Sequence, residues 1–114
     1  MQVQIQIVKL SISLAEVHFQ LVDPAEGELK GIMVGPRCRG RSTIEIAYSM
    51  RPLSEPGSAK VVIPEPSLWS EMEPFEYVAT LECWQGGQQM DRTTEVIRLH
   101  RASWRASTPK TSSR

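Results

Sequence analysis

The chain has 114 residues, of which 40% are hydrophobic and 23% charged, and its 13 basic and 13 acidic residues leave no formal net charge. This length suits one domain and is too short for a (β/α)8 barrel, which needs about 200 residues or more. Neutrality gives no reason to expect nucleic-acid or membrane partners, no apolar run is long enough for a membrane-spanning helix, and two cysteines are too few for a disulfide scaffold.

Apolar residues recur with a period of two along the N-terminal part of the chain. Three runs alternate apolar and polar residues: Val3–Ile7, Leu10–Leu14 and Val17–Leu21. Alternation places every second side chain on one face, so each run is predicted to be a strand with one buried face. The apolar phase shifts near Val8 and again near Ala15, and each shift requires a bulge, a bend or a turn.

The same period continues in the rest of the chain. Shorter apolar runs at 31–34, 44–48 and 61–63 precede the longest alternation, which consists of Phe75, Tyr77, Ala79, Leu81 and Cys83. Gly86 and Gly87 separate it from a return strand, and paired glycines suit a tight hairpin because they tolerate positive φ. About seven strands and no helical spacing predict an all-β fold, an immunoglobulin-like antiparallel β-sandwich.

The predicted sandwich domain spans residues 1–101. The last stretch, 102–114, is rich in serine, threonine and basic residues and has almost nothing to bury apart from Trp104. This composition predicts a flexible basic tail or a linker stub.

The most specific signal lies between residues 61 and 101. It consists of a Pro-x-Leu-Trp-Ser segment, a short acidic link, a Pro-x-x-Tyr segment that opens the longest alternation, and a glycine hairpin; the residues are Pro66, Leu68, Trp69, Ser70, Pro74, Tyr77, Gly86, Gly87 and Asp91. This stretch resembles the immunoglobulin-like β-sandwich domain of glycoside hydrolase family 2, which includes β-galactosidases, β-glucuronidases and β-mannosidases. Glu76 stands where that family usually has an apolar residue.

The residues of this motif also have a physical rationale of their own. Pro64 and Pro66 are expected to stop strand pairing and to hold the chain extended. Leu68 and Trp69 are then predicted to fold beneath the open end of the sandwich, where a buried indole removes a large apolar area from water. Pro74 is expected to open the next strand, where its missing N–H costs nothing.

The resemblance implies a non-catalytic accessory domain that buttresses or positions a catalytic domain outside this chain, so its partners would be the neighbouring domains of a parent glycosidase. In the family, the two carboxylates that hydrolyse the glycosidic bond lie in the barrel domain. No catalytic, cofactor-binding or metal-binding residue is predicted in this chain. The alternative is a stand-alone module that binds carbohydrate, through the outward-facing Trp84 or through Trp69, or that binds protein.

The remaining polar groups are predicted to be ordinary surface or core residues. A cluster near Trp69, which is expected to be a solvated acidic loop, could instead supply a carboxylate pair that grips a sugar; it consists of Glu65, Glu71, Glu73 and Glu76. A basic run is expected to be a solvated loop rather than a phosphate site; it consists of Arg37, Arg39 and Arg41.

His18 and His100 are expected at the surface. Cys38 is expected in a loop and Cys83 in the core, with a disulfide between them as the less favoured alternative.

Overall fold

A computed structural model of the chain describes residues 1–23 and 26–100. These residues form eight β-strands: β1 Gln2–Leu10, β2 Leu14–Asp23, β3 Glu28–Arg37, β4 Ile46–Ser49, β5 Arg51–Pro52, β6 Ser58–Pro64, β7 Glu76–Gln85 and β8 Gln88–Ile97. The described residues include no helix long and apolar enough to cross a bilayer. The predicted tail at 102–114, together with residue 101, lies outside the described residues.

The strands form two antiparallel sheets of four strands each. The first sheet has the order β1-β2-β6-β5 and the second has the order β4-β3-β7-β8. This is the strand order of an immunoglobulin-like sandwich of the constant type with one additional strand, β4, at the edge of the second sheet. The predicted fold class is therefore confirmed. The structure has eight strands where about seven were predicted, and β5, with only two residues, is too short to show an alternating pattern.

The core lies between the two sheets and is built by alternation on their central strands. The inward residues of β2 and β7 are all buried: Ala15, Val17, Phe19, Leu21, Tyr77, Ala79, Leu81 and Cys83. Each large apolar side chain among them contributes roughly 1.5–3 kcal/mol through burial. The glycine hairpin between β7 and β8 is confirmed as well, because Gly86 (φ 57°) and Gly87 (φ 76°) both adopt the left-handed conformation that such a turn requires.

The predicted strand at Leu10–Leu14 is wrong, because Leu10 ends β1, Leu14 begins β2, and the three residues between them form the turn. Ile12 is 77% exposed at this turn. The backbone N–H of Ser11 donates to the carbonyl of Leu14 (2.8 Å), and its hydroxyl accepts from the N–H groups of Ser13 and Leu14. A serine that satisfies the backbone in this way favours a turn over a strand, and the alternation does not register it. The expected irregularity near Val8 is confirmed as a register shift between Ile7 and Lys9.

The predicted alternation at residues 44–48 is only partly correct. Tyr48 packs against the core. Ile44 precedes β4 and is 87% exposed, and Ile46, the first residue of β4, is 51% exposed. β4 pairs along only four residues of β3, so this edge of the second sheet leaves two isoleucines in solvent.

Candidate functional site

The segment between β6 and β7, residues 65–75, closes one end of the sandwich. Pro66 is buried, and Leu68 packs against the core. Glu65 adopts a left-handed conformation (φ 47°), and its N–H donates to the carbonyl of Ser13 in the β1–β2 turn (3.0 Å). The expectation that two prolines hold this chain extended is therefore wrong at Glu65, where a non-glycine residue turns sharply at a cost of about 1 kcal/mol or more.

Tyr77 anchors this segment to the core. Its side chain is 1% exposed, and its hydroxyl accepts a hydrogen bond from the backbone N–H of Ser67 (2.9 Å). Its ring also meets Tyr48 edge-on, with 6.4 Å between ring centroids. A tyrosine near the start of this strand, bonded to backbone upstream, is a known device of immunoglobulin-like sandwiches. Tyr77 thus holds the backbone next to Leu68 and Trp69.

Trp69 is half-buried at the surface of this end, whereas Leu68 is the residue that packs against the core. The backbone N–H of Trp69 donates to the carbonyl of Leu99 (2.9 Å), and the residue forms an isolated bridge with Pro74. β7 begins at Glu76, so Pro74 does not open it as predicted. The bond to Leu99 therefore ties this segment to the chain just after β8, and the bridge to Pro74 closes the segment on itself.

The indole of Trp69 contacts two side chains that follow β8, those of Arg98 and His100. The ring of His100 lies 5.1 Å from the Trp69 ring, measured between centroids, and the guanidinium carbon of Arg98 lies 5.5 Å above the indole. A cation over a tryptophan face contributes about 0.5–1 kcal/mol where it is exposed. The Nε1 atom is buried and has no hydrogen-bond partner within the described ranges 1–23 and 26–100.

Charged side chains surround this aromatic group. Arg98 binds Glu76 (Nε–Oε2 2.8 Å), and Arg41 binds Glu73 at 3.6 Å. A groove of about 210 Å³ lies here; its lining residues are Arg39, Trp69, Pro74, Glu76 and Arg98. Hereafter "the Trp69 end" means these five residues together with Leu68 and His100. The ion pairs are exposed, so each contributes at most about 1 kcal/mol.

The acidic cluster predicted from the sequence does not converge on Trp69 as a pair of free carboxylates. Glu73 and Glu76 each bind an arginine, and Glu65 and Glu71 are exposed. The predicted basic run is likewise largely neutralised, because Arg41 binds Glu73 and Arg37 binds a second carboxylate, Glu45, at 3.0 Å. The structure therefore joins these two loops into one mixed-charge surface.

Trp84 lies on the outer face of the second sheet, near the opposite end of the sandwich. It is half-buried: the Lys30 ammonium lies 4.5 Å from the ring centroid, and Nε1 donates to Glu82 (3.0 Å). A groove of about 380 Å³ adjoins the indole; it is lined by Glu26, Gly27, Glu28, Trp84, Gln85 and Gly86. One face of the indole is thus occupied by a cation, and a polar groove lies beside it.

The cysteines and His18 are placed as follows. Cys83 is buried in the core as predicted. Cys38 lies in the loop after β3, also as predicted, and its side chain is buried there (6% exposed). Both thiols are free, so the less favoured disulfide does not form in this structure.

His18 lies on the outer face of the first sheet, where it donates to Glu16 (2.6 Å). This hydrogen bond is the main cause that holds the pKa of the Glu16 carboxyl below its ordinary value.

Sequence reasoning missed two members of the Trp69 end, Arg98 and His100. The sequence pattern that could have identified them is the alternation of Ile97 and Leu99 with Arg98 and His100. Because Ile97 and Leu99 are buried, the residues between and after them face away from the core. Among the described residues, no three histidine, cysteine, aspartate or glutamate side chains are arranged to hold a metal ion.

A scan against models of protein families finds no match to this chain, and a search of curated proteins finds no significant relative.

Proposed function

We propose that this chain is a non-catalytic accessory β-sandwich of the kind found in family 2 glycoside hydrolases, and that it positions a neighbouring domain through the Trp69 end. The observation that supports this proposal is that the residues of the sequence motif lie together in one structural unit. Residues from Pro66 to Tyr77 form one continuous cap on the sandwich, held from inside by the hydrogen bond between Tyr77 and Ser67. The same cap presents an indole at its surface.

The composition of the Trp69 end supports contact with protein. Tryptophan and arginine are the residue types most enriched among those that dominate protein–protein binding energy. Here the guanidinium of Arg98 lies over the Trp69 ring and Arg39 lines the same groove. The ion pair between Arg98 and Glu76 adds charged groups beside the indole. A central aromatic anchor with a charged rim is the usual anatomy of such an interface.

The direction of the chain also supports contact at this end. The His100 ring packs against Trp69 at an interplanar angle of 47°, and the sequence continues from there through Arg101. Any segment that follows residue 100 therefore starts beside the indole. A domain attached there is held at high effective concentration over the Trp69 end, so even a small interface can fix its orientation.

A first test is the reading frame of the encoding gene on both sides of this chain. The proposal expects a following region that codes for a (β/α)8 barrel with two glutamates at strand ends, the carboxylates that retaining and inverting hydrolysis require. A gene without such a region would contradict the family 2 role.

A second test compares the two half-buried tryptophans by hydroxyl-radical footprinting. If the Trp69 end contacts a neighbouring domain, oxidation of Trp69 is several-fold slower in the complete protein than in the 114-residue chain. Trp84, at the other end of the sandwich, is the internal control and is oxidised equally in both. Equal oxidation of Trp69 in the two samples would rule out docking at this end.

A second candidate function is carbohydrate binding at the groove beside Trp84. The observation that favours it is the pairing of an indole with carboxylate and amide side chains, Glu26, Glu28 and Gln85, around one groove. Aromatic faces and such polar groups are what a sugar ring needs for stacking and hydrogen bonding.

Titration calorimetry of the isolated chain against β-linked gluco-, galacto- and manno-oligosaccharides tests this second function. If the chain binds carbohydrate at this groove, at least one sugar is expected to give a saturable binding heat. This binding is lost in Trp84→Ala and retained in Trp69→Phe, which leaves the groove intact. No saturable binding by the wild-type chain, or binding that survives Trp84→Ala, would show that this groove is not a sugar site.

A further inference from the structure

Four strands lie at sheet edges, and three of them have features that block the addition of another strand. β5 has only two residues and contains Pro52, and β4 has only four residues. β8 is ten residues long but carries three charges, on Asp91, Arg92 and Glu95. Short length, proline and charge are the usual means by which proteins protect an exposed edge.

The first strand, β1, has none of these features over its first seven residues. The segment Gln2–Val8 has no charge, no proline and no glycine, and Lys9 is the first charged side chain of the strand. β1 pairs with β2 on one side, and none of the described residues pairs with its other side. An uncharged edge of this length with high β-propensity is a template for pairing with another chain.

The inner face of β1 is also incompletely covered. Val3, Ile5 and Ile7 pack against the core but are only half-buried, whereas their direct partners on β2, such as Phe19 (1% exposed), are fully buried. The difference arises because β1 has no neighbour on its outer side. A strand added there would complete the burial of three β-branched side chains and pair the open backbone groups at the same time.

We propose that β1 pairs antiparallel with β1 of a second copy of this chain, which joins the two first sheets into one continuous eight-stranded sheet. A twofold axis perpendicular to the sheet keeps both inner faces on the same side, so residues directly opposite must face the same way. Registers centred on Ile5 and on Gln4 both satisfy this condition and pair most of the uncharged segment Gln2–Val8 with itself. In both registers Val3 meets an isoleucine across the axis. Glutamine meets glutamine, except that Gln2 faces Val8 in the register centred on Ile5.

The absence of charged side chains from Gln2–Val8 is the reason to expect the same strand of a second copy as the partner. Lys9 faces Lys9 in neither register; in the one centred on Ile5 it faces Met1, whose N-terminal ammonium is already bound by Asp91 (2.6 Å). On β8, which carries three charges, two of the central registers bring like charges together. The register centred on Thr93 places Asp91 opposite Glu95, and the register centred on Arg92 places two guanidinium groups together. Like charges directly opposite destabilise a strand pair. The segment Gln2–Val8 of β1 has no charged side chain, so its pairing with a second copy meets no side-chain charge repulsion there.

Sedimentation velocity over a concentration series tests the proposal. The wild-type chain is expected to shift from 12.8 kDa toward twice that mass. The double variant Gln4→Lys/Gln6→Lys adds charge on the exposed outer face of β1 and is expected to weaken dimerisation about tenfold or more. The matched control Gln88→Lys/Gln89→Lys makes the same change at exposed positions of the other long edge, β8, and is expected to dimerise like the wild type.

A charge-swap experiment separates strand pairing from a general effect of charge. The variants Gln4→Lys/Gln6→Lys and Gln4→Glu/Gln6→Glu are each expected to stay monomeric at a concentration where the wild type is dimeric, and their equimolar mixture is expected to recover the dimer. Thermal unfolding of each variant verifies that it is folded. A wild-type chain that stays monomeric up to its solubility limit, a lysine variant that dimerises like the wild type, or a mixture that does not recover would each overturn the proposal.

Discussion

Replacing Tyr77 with alanine is expected to lower the free energy of unfolding by about 3–5 kcal/mol. Tyr77 has the largest side chain that is completely buried in the core, and its loss leaves a cavity between the sheets beside Tyr48. The substitution also removes the acceptor for the N–H of Ser67, so the cap that carries the Trp69 end loses its anchor. Urea denaturation with linear extrapolation measures the change.

The conservative substitution Tyr77→Phe separates the ring from the hydroxyl. It keeps the packing and removes only the acceptor, so a loss of about 1–2 kcal/mol is expected from the unsatisfied backbone donor of Ser67. A Tyr77→Ala variant that loses less than the phenylalanine variant, or a phenylalanine variant that loses nothing, would contradict this account of the anchor.

The second large effect is expected from Gly31→Ala in β3, with a loss of about 2–3 kcal/mol. A Cβ atom at Gly31 would overlap the backbone carbonyl oxygen of Thr80 on β7, and it would also meet the Met50 sulfur at 3.0 Å. A backbone atom in the centre of a sheet cannot move aside as a flexible side chain can, so the two central strands of the second sheet would have to separate. Chemical denaturation measures the loss.

Gly86→Ala is the matched control for this prediction. Apart from its two chain neighbours, none of the described residues has a heavy atom within 4 Å of the position of its Cβ, so the only expected cost is that of a left-handed alanine, about 1 kcal/mol. If both variants lose the same stability, the close approach of β3 and β7 at Gly31 is not what excludes a side chain there.

The accessory role and the proposed dimer use different parts of the molecule. The first depends on the Trp69 end, where the linker after β6 meets the end of β8, and the second depends on the free edge of β1. Their tests are therefore independent: loss of dimerisation in the Gln4→Lys/Gln6→Lys variant leaves the footprint of Trp69 unchanged, and failure of either proposal does not decide the other.

Local pattern in the sequence was sufficient to predict the strands that form the core. The apolar alternation of β2 and β7 identified Phe19, Leu81 and their neighbours as inward-facing, because side chains on a strand point to opposite faces in turn. The hairpin at Gly86 and Gly87 was equally readable, since both residues need positive φ. These features depend on residues adjacent in the chain, so the sequence by itself determined them.

Long-range contacts decided the rest. Ile12 and Ile44 have the same alternation as buried residues, yet both are exposed because one lies in a turn closed by Ser11 and the other lies before a short edge strand. Leu68 and Trp69 are neighbours in sequence, and only the contact with the end of β8 determines which one reaches the core and which stays at the surface. Burial depends on which strand lies opposite, and the period of a single segment carries no information about its partner.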